Sequence, residues 1–355
     1  MNRSLAPQAL PSLQKQLVSL GVDAFLVTDP VNIRYLTGIP ADASWLFVTA
    51  KRVFYLTDFR YAEDVGRVLK TARVVQTRVS LFDTLFDLAV DSWVRTIGIE
   101  PRHMTVATLM RLRSLAGRDV RFVPKQGVVE ELRVVKTPQE IALIRKCINI
   151  NLKGFKRIGK IVRPGITERR VLEELERFVR DEDASLSFPP IIASGPNSAF
   201  PHAQVTDRKF RSGDPVLVDF GVEIQGYKSD LTRMFFLGKM ARSFQENLSF
   251  IRQAQKEAYK VIKPGVRAKD ADGAARGFLD KNGLAERFGH SLGHGVGLNI
   301  HEDPSISCRS GAVLSKGMVI TVEPGVYFTG KYGVRLEEMV LVTATGCEVL
   351  SDHDQ

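Results

Sequence analysis

The sequence predicts an α+β chain in two domains: an α/β domain over residues 1–125 and a larger unit over residues 126–355, built from two related halves. Three observations carry this expectation. The chain has 355 residues, more than one hydrophobic core normally serves. Its first third alternates helical and strand patterns. The remainder repeats itself in order: Arg163-Pro-Gly-Ile166 recurs as Lys263-Pro-Gly-Val266, Gly213 to Asp219 recurs as Gly317 to Glu323, and Asp230 recurs as Glu337.

The elements follow in chain order. Leu10 to Leu20 has helical periodicity, and Asp23 to Thr28 reads as a buried strand. Trp45 to Val48 and Arg52 to Leu56 read as a hairpin, Thr96 to Ile99 as a short strand, and Met104 to Leu115 as a helix. A new unit begins near Pro124. Thr137-Pro-Gln-Glu140 carries three helix-start signals: a Thr N-cap, Pro at the first helical position and Glu at the capping-box position. Ile141, Ile144, Ile148 and Leu152 then share one face. Each half of the second unit reads helix, Pro-Gly, helix and an acid-bearing hairpin.

Those hairpins hold the chemistry. Val216 to Val218 leads into Asp219, and Val319 to Val322 leads into Glu323. Acids ending apolar strands are rare unless paired. Folding the first segment about Ile224-Gln225 sets Asp219 opposite Asp230. Folding the second about Gly330 sets Glu323 opposite Glu337. Like charges directly opposed in an antiparallel pair repel, so two such pairs ask for a cation. Hard divalent metals take oxygen ligands of this kind.

The stretch from Phe288 to Glu302 holds three of the six histidines: His290, His294 and His301. Gly293, Gly295 and Gly297 would permit the close backbone approach that a crowded site needs. One imidazole among carboxylates shifts metal preference from magnesium or calcium towards manganese, cobalt, iron or zinc. His294 is the candidate ligand. His202, in Pro201-His202-Ala203, and His301 are weaker candidates for a role, and His103 and His353 are assigned none.

Composition narrows the function classes. Apolar residues are 44% and charged residues 25%, which is globular rather than disordered. The formal charge of +10 is spread along the chain with no nucleic-acid motif, so a solvated surface is expected and no nucleic-acid partner. No apolar run approaches the ~18 residues that cross a membrane, so no membrane partner is expected. Met1 to Gln14 has prolines and polar residues where a signal peptide would be apolar. Cys147, Cys308 and Cys347 are isolated and read as reduced thiols. Together these features predict a cytoplasmic protein.

The ordered set Asp219, Asp230, His294, Glu323 and Glu337 resembles the ligand set of the pita-bread (M24) metallopeptidases, which include methionine aminopeptidase, Xaa-Pro aminopeptidase and Xaa-Pro dipeptidase (prolidase). The resemblance extends to Ser194 to His202, Ser229-Asp-Leu-Thr-Arg233, His290 to Gly297 and Glu323-Pro-Gly325. Asn32-Ile-Arg-Tyr-Leu-Thr-Gly38 resembles the creatinase-type N-terminal domain of the proline-specific members. One departure is Glu338 where the family usually has Asp after the last ligand.

The resemblance implies a pita-bread catalytic domain behind a creatinase-like domain, and two divalent metals, manganese first with cobalt or zinc as alternatives. It implies that Asp230 and Glu337 bridge both metals, that Asp219 chelates one, and that His294 and Glu323 hold the other. Glu323 would also carry protons. His202 and His301 would contact substrate and stabilise the intermediate, His290 would lie on the substrate side, and Arg335 would line the site. The implied activity is an Xaa-Pro aminopeptidase acting on proline-containing peptides, with prolidase as the alternative and a homodimer as the assembly. Methionine aminopeptidase would not need the first domain. A non-catalytic binding module of the same fold would have lost ligands, and all five are present.

Overall fold

The computed structural model describes residues 5, 7–117 and 119–351. His353 lies outside them. The chain divides into two compact units, Met1–Arg133 and Val134–Gln355.

The first unit is built in the order α1 (Ala9–Leu20), β1 (Ala24–Val27), α2 (Pro30–Thr37), β2 (Trp45–Thr49), β3 (Val53–Thr57), α3 (Phe59–Val68), β4 (Arg73–Gln76), α4 (Leu81–Asp91), β5 (Thr96–Ile99), α5 (Val106–Ala116) and β6 (Arg121–Pro124). Its strands form one mixed sheet in the order β4-β3-β2-β1-β5-β6. The β2–β3 hairpin is antiparallel as the sequence predicts, while β1 pairs β5 in parallel. β1 is buried along its whole length, which is why it reads as an unbroken apolar run rather than an alternation.

The Asn32-to-Gly38 motif forms most of α2. Asp29 caps that helix, Pro30 opens it, and Gly38 ends it at φ 78°. Asn32 is fully buried and donates to Glu100 (2.7 Å) and Glu130 (3.1 Å). Glu100 also accepts from the Thr28 and Asp29 N–H groups, at 2.6 and 2.9 Å, so one carboxylate fixes the turn between β1 and α2.

After α6 (Val128–Val134), the second unit runs through α7 (Pro138–Gly159), α8 (Glu168–Asp181), β7 (Ser185–Leu186), β8 (Ile191–Ser194), a 3-10 turn (Gly195–Ala199), β9 (Pro215–Phe220), β10 (Val222–Ile224), β11 (Tyr227–Lys228) and β12 (Leu231–Phe236). It continues with α9 (Arg242–Val261), α10 (Ala268–Lys281), β13 (Gly293–Gly295), β14 (Glu302–Ile306), β15 (Val319–Val322), β16 (Gly325–Phe328), β17 (Tyr332–Arg335), β18 (Glu338–Val342) and β19 (Cys347–Val349). The capping box at Thr137 and Glu140 is formed, and Ile144 and Ile148 are fully buried on the predicted face of α7.

The internal repeat is visible in the hydrogen bonds. Gly165 and Gly265 share left-handed φ values of 90° and 87°, and Gly213 and Gly317 share 87° and 91°. The Gly165 N–H bonds the Phe210 carbonyl while the Gly265 N–H bonds that of Leu314, at 2.9 Å in both cases. Thr167 bridges Lys209 as Arg267 bridges Val313. The two halves therefore repeat as helix pairs feeding β9–β12 and β15–β18.

The first hairpin departs from the predicted register by two residues. Asp219 lies opposite Thr232, not Asp230. The cause is the turn. Gln225 and Gly226 both have positive φ, 49° and 84°, which makes a two-residue type I′ turn centred one residue later than predicted. A shift of two preserves the face, so Asp230 remains a diagonal neighbour of Asp219.

The second hairpin has the predicted register, centred on Gly330. Its pairing runs from Phe328↔Tyr332 to Gly325↔Arg335, and resumes with Val322↔Glu338. Glu323 and Glu337 occupy the break between these two paired stretches. The Glu323 N–H bonds the Leu292 carbonyl (2.8 Å), and the Glu337 N–H bonds that of Thr232 (3.2 Å).

Candidate metal centre

The two hairpins bring four acids to one place, and β13 adds His294. Ligand atoms of Asp219, Asp230 and Glu337 lie within 4.8 Å of one another, and so do those of His294, Glu323 and Glu337. A third group of the same span joins Asp230, His294 and His301. Asp230, Glu337 and His294 each belong to two of these groups.

Several buried contacts hold the cluster. The Arg335 guanidinium donates to Asp219 Oδ2 (2.5 Å) and to the Thr232 hydroxyl (3.1 Å). The Thr232 hydroxyl in turn donates to Glu337 Oε2 (2.8 Å). Thr232 sits here because the two-residue register shift sets it opposite Asp219. Asp219 Oδ1 is buried and has no hydrogen-bond donor.

Burial pushes all four carboxyls above their ordinary range. Asp230 is raised further by Asp219 and Glu323, and Glu337 further by Asp230, Glu323 and Asp219. Glu323 is pushed up to about 8 by burial, with Arg335 opposing. In Asp219, burial outweighs the Arg335 charge beside it. One buried guanidinium cannot balance four carboxylates in this setting. The residues fit divalent cations on three counts: hard oxygen donors, mutual repulsion, and a buried carboxylate oxygen with no protein donor.

His294 is arranged as a neutral donor. Burial, helped by the nearby His301, lowers its pKa to about 4. Its Nδ1 lies 3.1 Å from the Gly295 carbonyl, so the proton belongs on Nδ1 and the Nε2 lone pair faces the acids. Nε2 lies 3.5 Å from Glu323 and 3.7 Å from Asp230. The neighbouring glycines meet the expectation of close approach. A Cβ at Gly293 would collide with the Thr321 carbonyl, and one at Gly295 with that of Asp303.

The other predicted residues surround this cluster. His301 is exposed and stands edge-on to His294, ring centroids 4.3 Å apart. His202, also exposed, is near enough for its charge to act on Asp219 and His301. His290 donates from Nδ1 to the Ser291 carbonyl (2.8 Å), which leaves Nε2 to accept from the Tyr327 hydroxyl (3.0 Å). The Tyr327 hydroxyl accepts from Arg335 (2.9 Å). Burial lowers the His290 pKa to about 4, consistent with this neutral tautomer. His103 lies in the first unit, 3.2 Å from the Thr28 hydroxyl.

Tyr327 and Thr232 were not singled out by the sequence reading. Tyr327 had one available signal: it lies opposite Gly333 and diagonal to Arg335, on the same hairpin face.

Comparison with known proteins gives a consistent picture. A profile described as metallopeptidase family M24 matches residues 142–344, and one described as the creatinase/prolidase N-terminal domain matches residues 10–135. An Xaa-Pro dipeptidase of Pyrococcus furiosus is 32% identical over 352 residues, covering 98% of this chain and 99% of the relative. The structure of an Xaa-Pro dipeptidase from Bacillus anthracis superposes with a TM-score of 0.95 at 34% identity, covering 99% of this chain and 98% of that one. That of an X-Pro aminopeptidase from Thermotoga maritima gives 0.89 at 33% identity, covering 96% and 97%.

Proposed function

The chain belongs to metallopeptidase family M24, and from that premise we propose that it is a metal-dependent Xaa-Pro dipeptidase. The observation that carries the catalytic part is the convergence of Asp219, Asp230, His294, Glu323 and Glu337 from both halves of the repeat on one buried centre. These five would hold two divalent cations, manganese by preference, with cobalt or zinc as alternatives. When bound, the cations supply a water of lowered pKa and an electrophile for the scissile carbonyl.

The chain's own residues do the rest in this reading. Asp230 and Glu337, the carboxylates that belong to two of the ligand groups, would help to hold both cations. Asp219 serves one cation and is oriented by Arg335. His294 offers Nε2 to the other, beside Glu323. Glu323 carries a proton from the attacking water to the proline nitrogen. A tertiary amide leaves poorly without such a proton. His202 and His301, exposed at the rim, contact substrate and stabilise charge on its carbonyl oxygen. His290 and Arg335, joined through Tyr327, line the substrate side.

The dipeptidase reading is supported by the named relatives from Pyrococcus furiosus and Bacillus anthracis. It reverses the order predicted from sequence, which put the aminopeptidase first. The aminopeptidase stands as a second reading because the Thermotoga maritima relative carries that name at nearly the same identity. A cytoplasmic location is the reading favoured by the isolated spacing of Cys147, Cys308 and Cys347. Among the described residues no helix is long and apolar enough to cross a membrane.

The test is a substrate panel: Ala-Pro, Ala-Pro-Ala and Met-Ala-Ser, with Mn, Co and Zn added in turn. Cleavage of Ala-Pro but not Ala-Pro-Ala is expected. Efficient cleavage of Ala-Pro-Ala would favour the aminopeptidase. Turnover of Met-Ala-Ser alone, or of nothing with any metal, would overturn both.

A further inference from the structure

We propose that Glu168 and Asp272 are positioning residues, one from each half of the repeat, that fix the segments carrying His202 and His290. The inference rests on the reading of those histidines as substrate-side groups. Both acids are fully buried and neither belongs to the metal centre.

Glu168 takes five donors from residues on both sides of His202. Its Oε1 accepts from the Ser194 N–H and the Ser194 hydroxyl, each at 2.8 Å. Its Oε2 accepts from the Asn197 amide (3.0 Å), the Thr206 N–H (3.0 Å) and the Thr206 hydroxyl (2.6 Å). Capping α8 does not require this acid, because the Thr167 hydroxyl already accepts from the Arg170 N–H (3.0 Å). On its other side the loop meets the second half. The Gly333 N–H donates to the Ser198 hydroxyl (3.0 Å), and Arg335 donates to the Pro201 carbonyl (3.1 Å). The His202 loop is thus held between Glu168 and the strand that leads to Glu337.

Asp272 does the same for His290. It lies in α10, which starts as α8 does, but one turn further along on the same helix face. Its Oδ1 accepts from the Leu292 N–H (3.1 Å), and both its oxygens accept from Arg276, each at 2.8 Å. Arg276 donates onward to the Phe288 and His290 carbonyls, each at 2.9 Å. Two different hydrogen-bond sets therefore reach one result. In each half, a buried acid on the second helix fixes the backbone around a histidine, directly for Glu168 and partly through Arg276 for Asp272. A buried carboxylate is tolerated only while its donors stay in place, so displacing the His202 loop would strip Glu168 of its donors, and displacing the His290 segment would cost the Asp272–Arg276 pair its backbone partners.

A double-mutant cycle tests the proposal on the metal-loaded protein. Glu168→Gln keeps the shape but replaces one acceptor oxygen with an NH2 donor that faces N–H and O–H groups. It should retain two metals and lose kcat/KM by roughly 10- to 100-fold, the scale of a small misplacement of a catalytic group. Glu168→Asp should recover part of the loss. Added to His202→Ala, Glu168→Gln should cause little further loss, because both act through one group. Asp272→Asn should couple to His290→Ala in the same way. Independent, multiplying losses would overturn the proposal, and so would loss of metal or wild-type kinetics in Glu168→Gln. If His202→Ala alone were fully active, the reading of His202 would fail, an outcome distinct from an impaired His202→Ala with an additive cycle. Should Glu168→Gln not fold, Thr206→Val removes one of the five donors to Glu168, together with the acceptor of the Arg208 N–H. It should show a smaller loss with the same coupling, and additivity there would equally overturn the proposal.

Discussion

The surroundings of Asp230 disfavour its charge: it is buried beside Asp219 and Glu323 and close to Glu337. Asp230→Asn should leave a folded protein that binds metal poorly and loses nearly all turnover, checked by metal analysis and circular dichroism. Without metal, the same variant should melt no lower than the wild type, because one of four mutually repelling charges is gone. Full activity would sink the ligand assignment. The histidines should separate by role. His202→Ala and His301→Ala should keep two metals yet lose kcat/KM by about 10²-fold or more, the scale of a lost proton donor or oxyanion contact. His294→Ala should lose metal affinity first, and excess manganese should restore part of its activity. Metal content measured beside steady-state kinetics distinguishes the two patterns. A metal-free His202→Ala would contradict the division.

Among the elements, the turn between β1 and α2 offers a pH test away from the metal centre. Burial pushes Glu100 from its ordinary 4.5 up to about 7, against the lowering effect of the Asp29 and Thr28 N–H groups. A raised carboxyl pKa means that the folded state binds the proton more tightly. Its contribution is full below pH 4.5 and is lost as pH rises through about 7. Glu100→Gln cannot ionise and lacks this dependence. The wild type's advantage in Tm over Glu100→Gln should therefore shrink between pH 5 and pH 8. A constant gap would show that Glu100 does not titrate in that window. The β10–β11 hairpin teaches a different lesson at this scale. Its turn needs two successive positive φ values, and Gln225 gives no hint of one. A turn residue thus moved the expected partner of Asp219 without moving its face.

For the molecule as a whole, the repeat explains how one chain surrounds a candidate metal centre. Each half contributes an acid-bearing hairpin, and neither half alone supplies five ligands. The resemblance to proline-specific relatives also carries the expectation of a homodimer. Light scattering should show a mass well above the 39.5 kDa of one chain. A monomer fully active at nanomolar concentration would contradict it.

The sequence by itself determined the α+β class, the repeat, the capping box at Thr137 and the five residues that converge. The class and the capping box rest on alternation and capping spacing, the repeat on ordered recurrence, the four acids on strand ends and the positions opposite them, and His294 on its flanking glycines. It also located the Gly330 centre of the second hairpin, since the apolar runs and acids on either side are symmetric about it. Only the tertiary structure decided that Thr232 opposes Asp219, because strand register follows from the turn's backbone angles rather than from the strands' apolar pattern. It alone joined Tyr327 to His290 and Arg335, and set Glu168 and Asp272 beneath their histidine loops. Apart from the Tyr327–Arg335 contact within one hairpin, those contacts link separate elements of the chain. A single sequence carries no mark of which distant donor a buried acid will meet; packing chooses it.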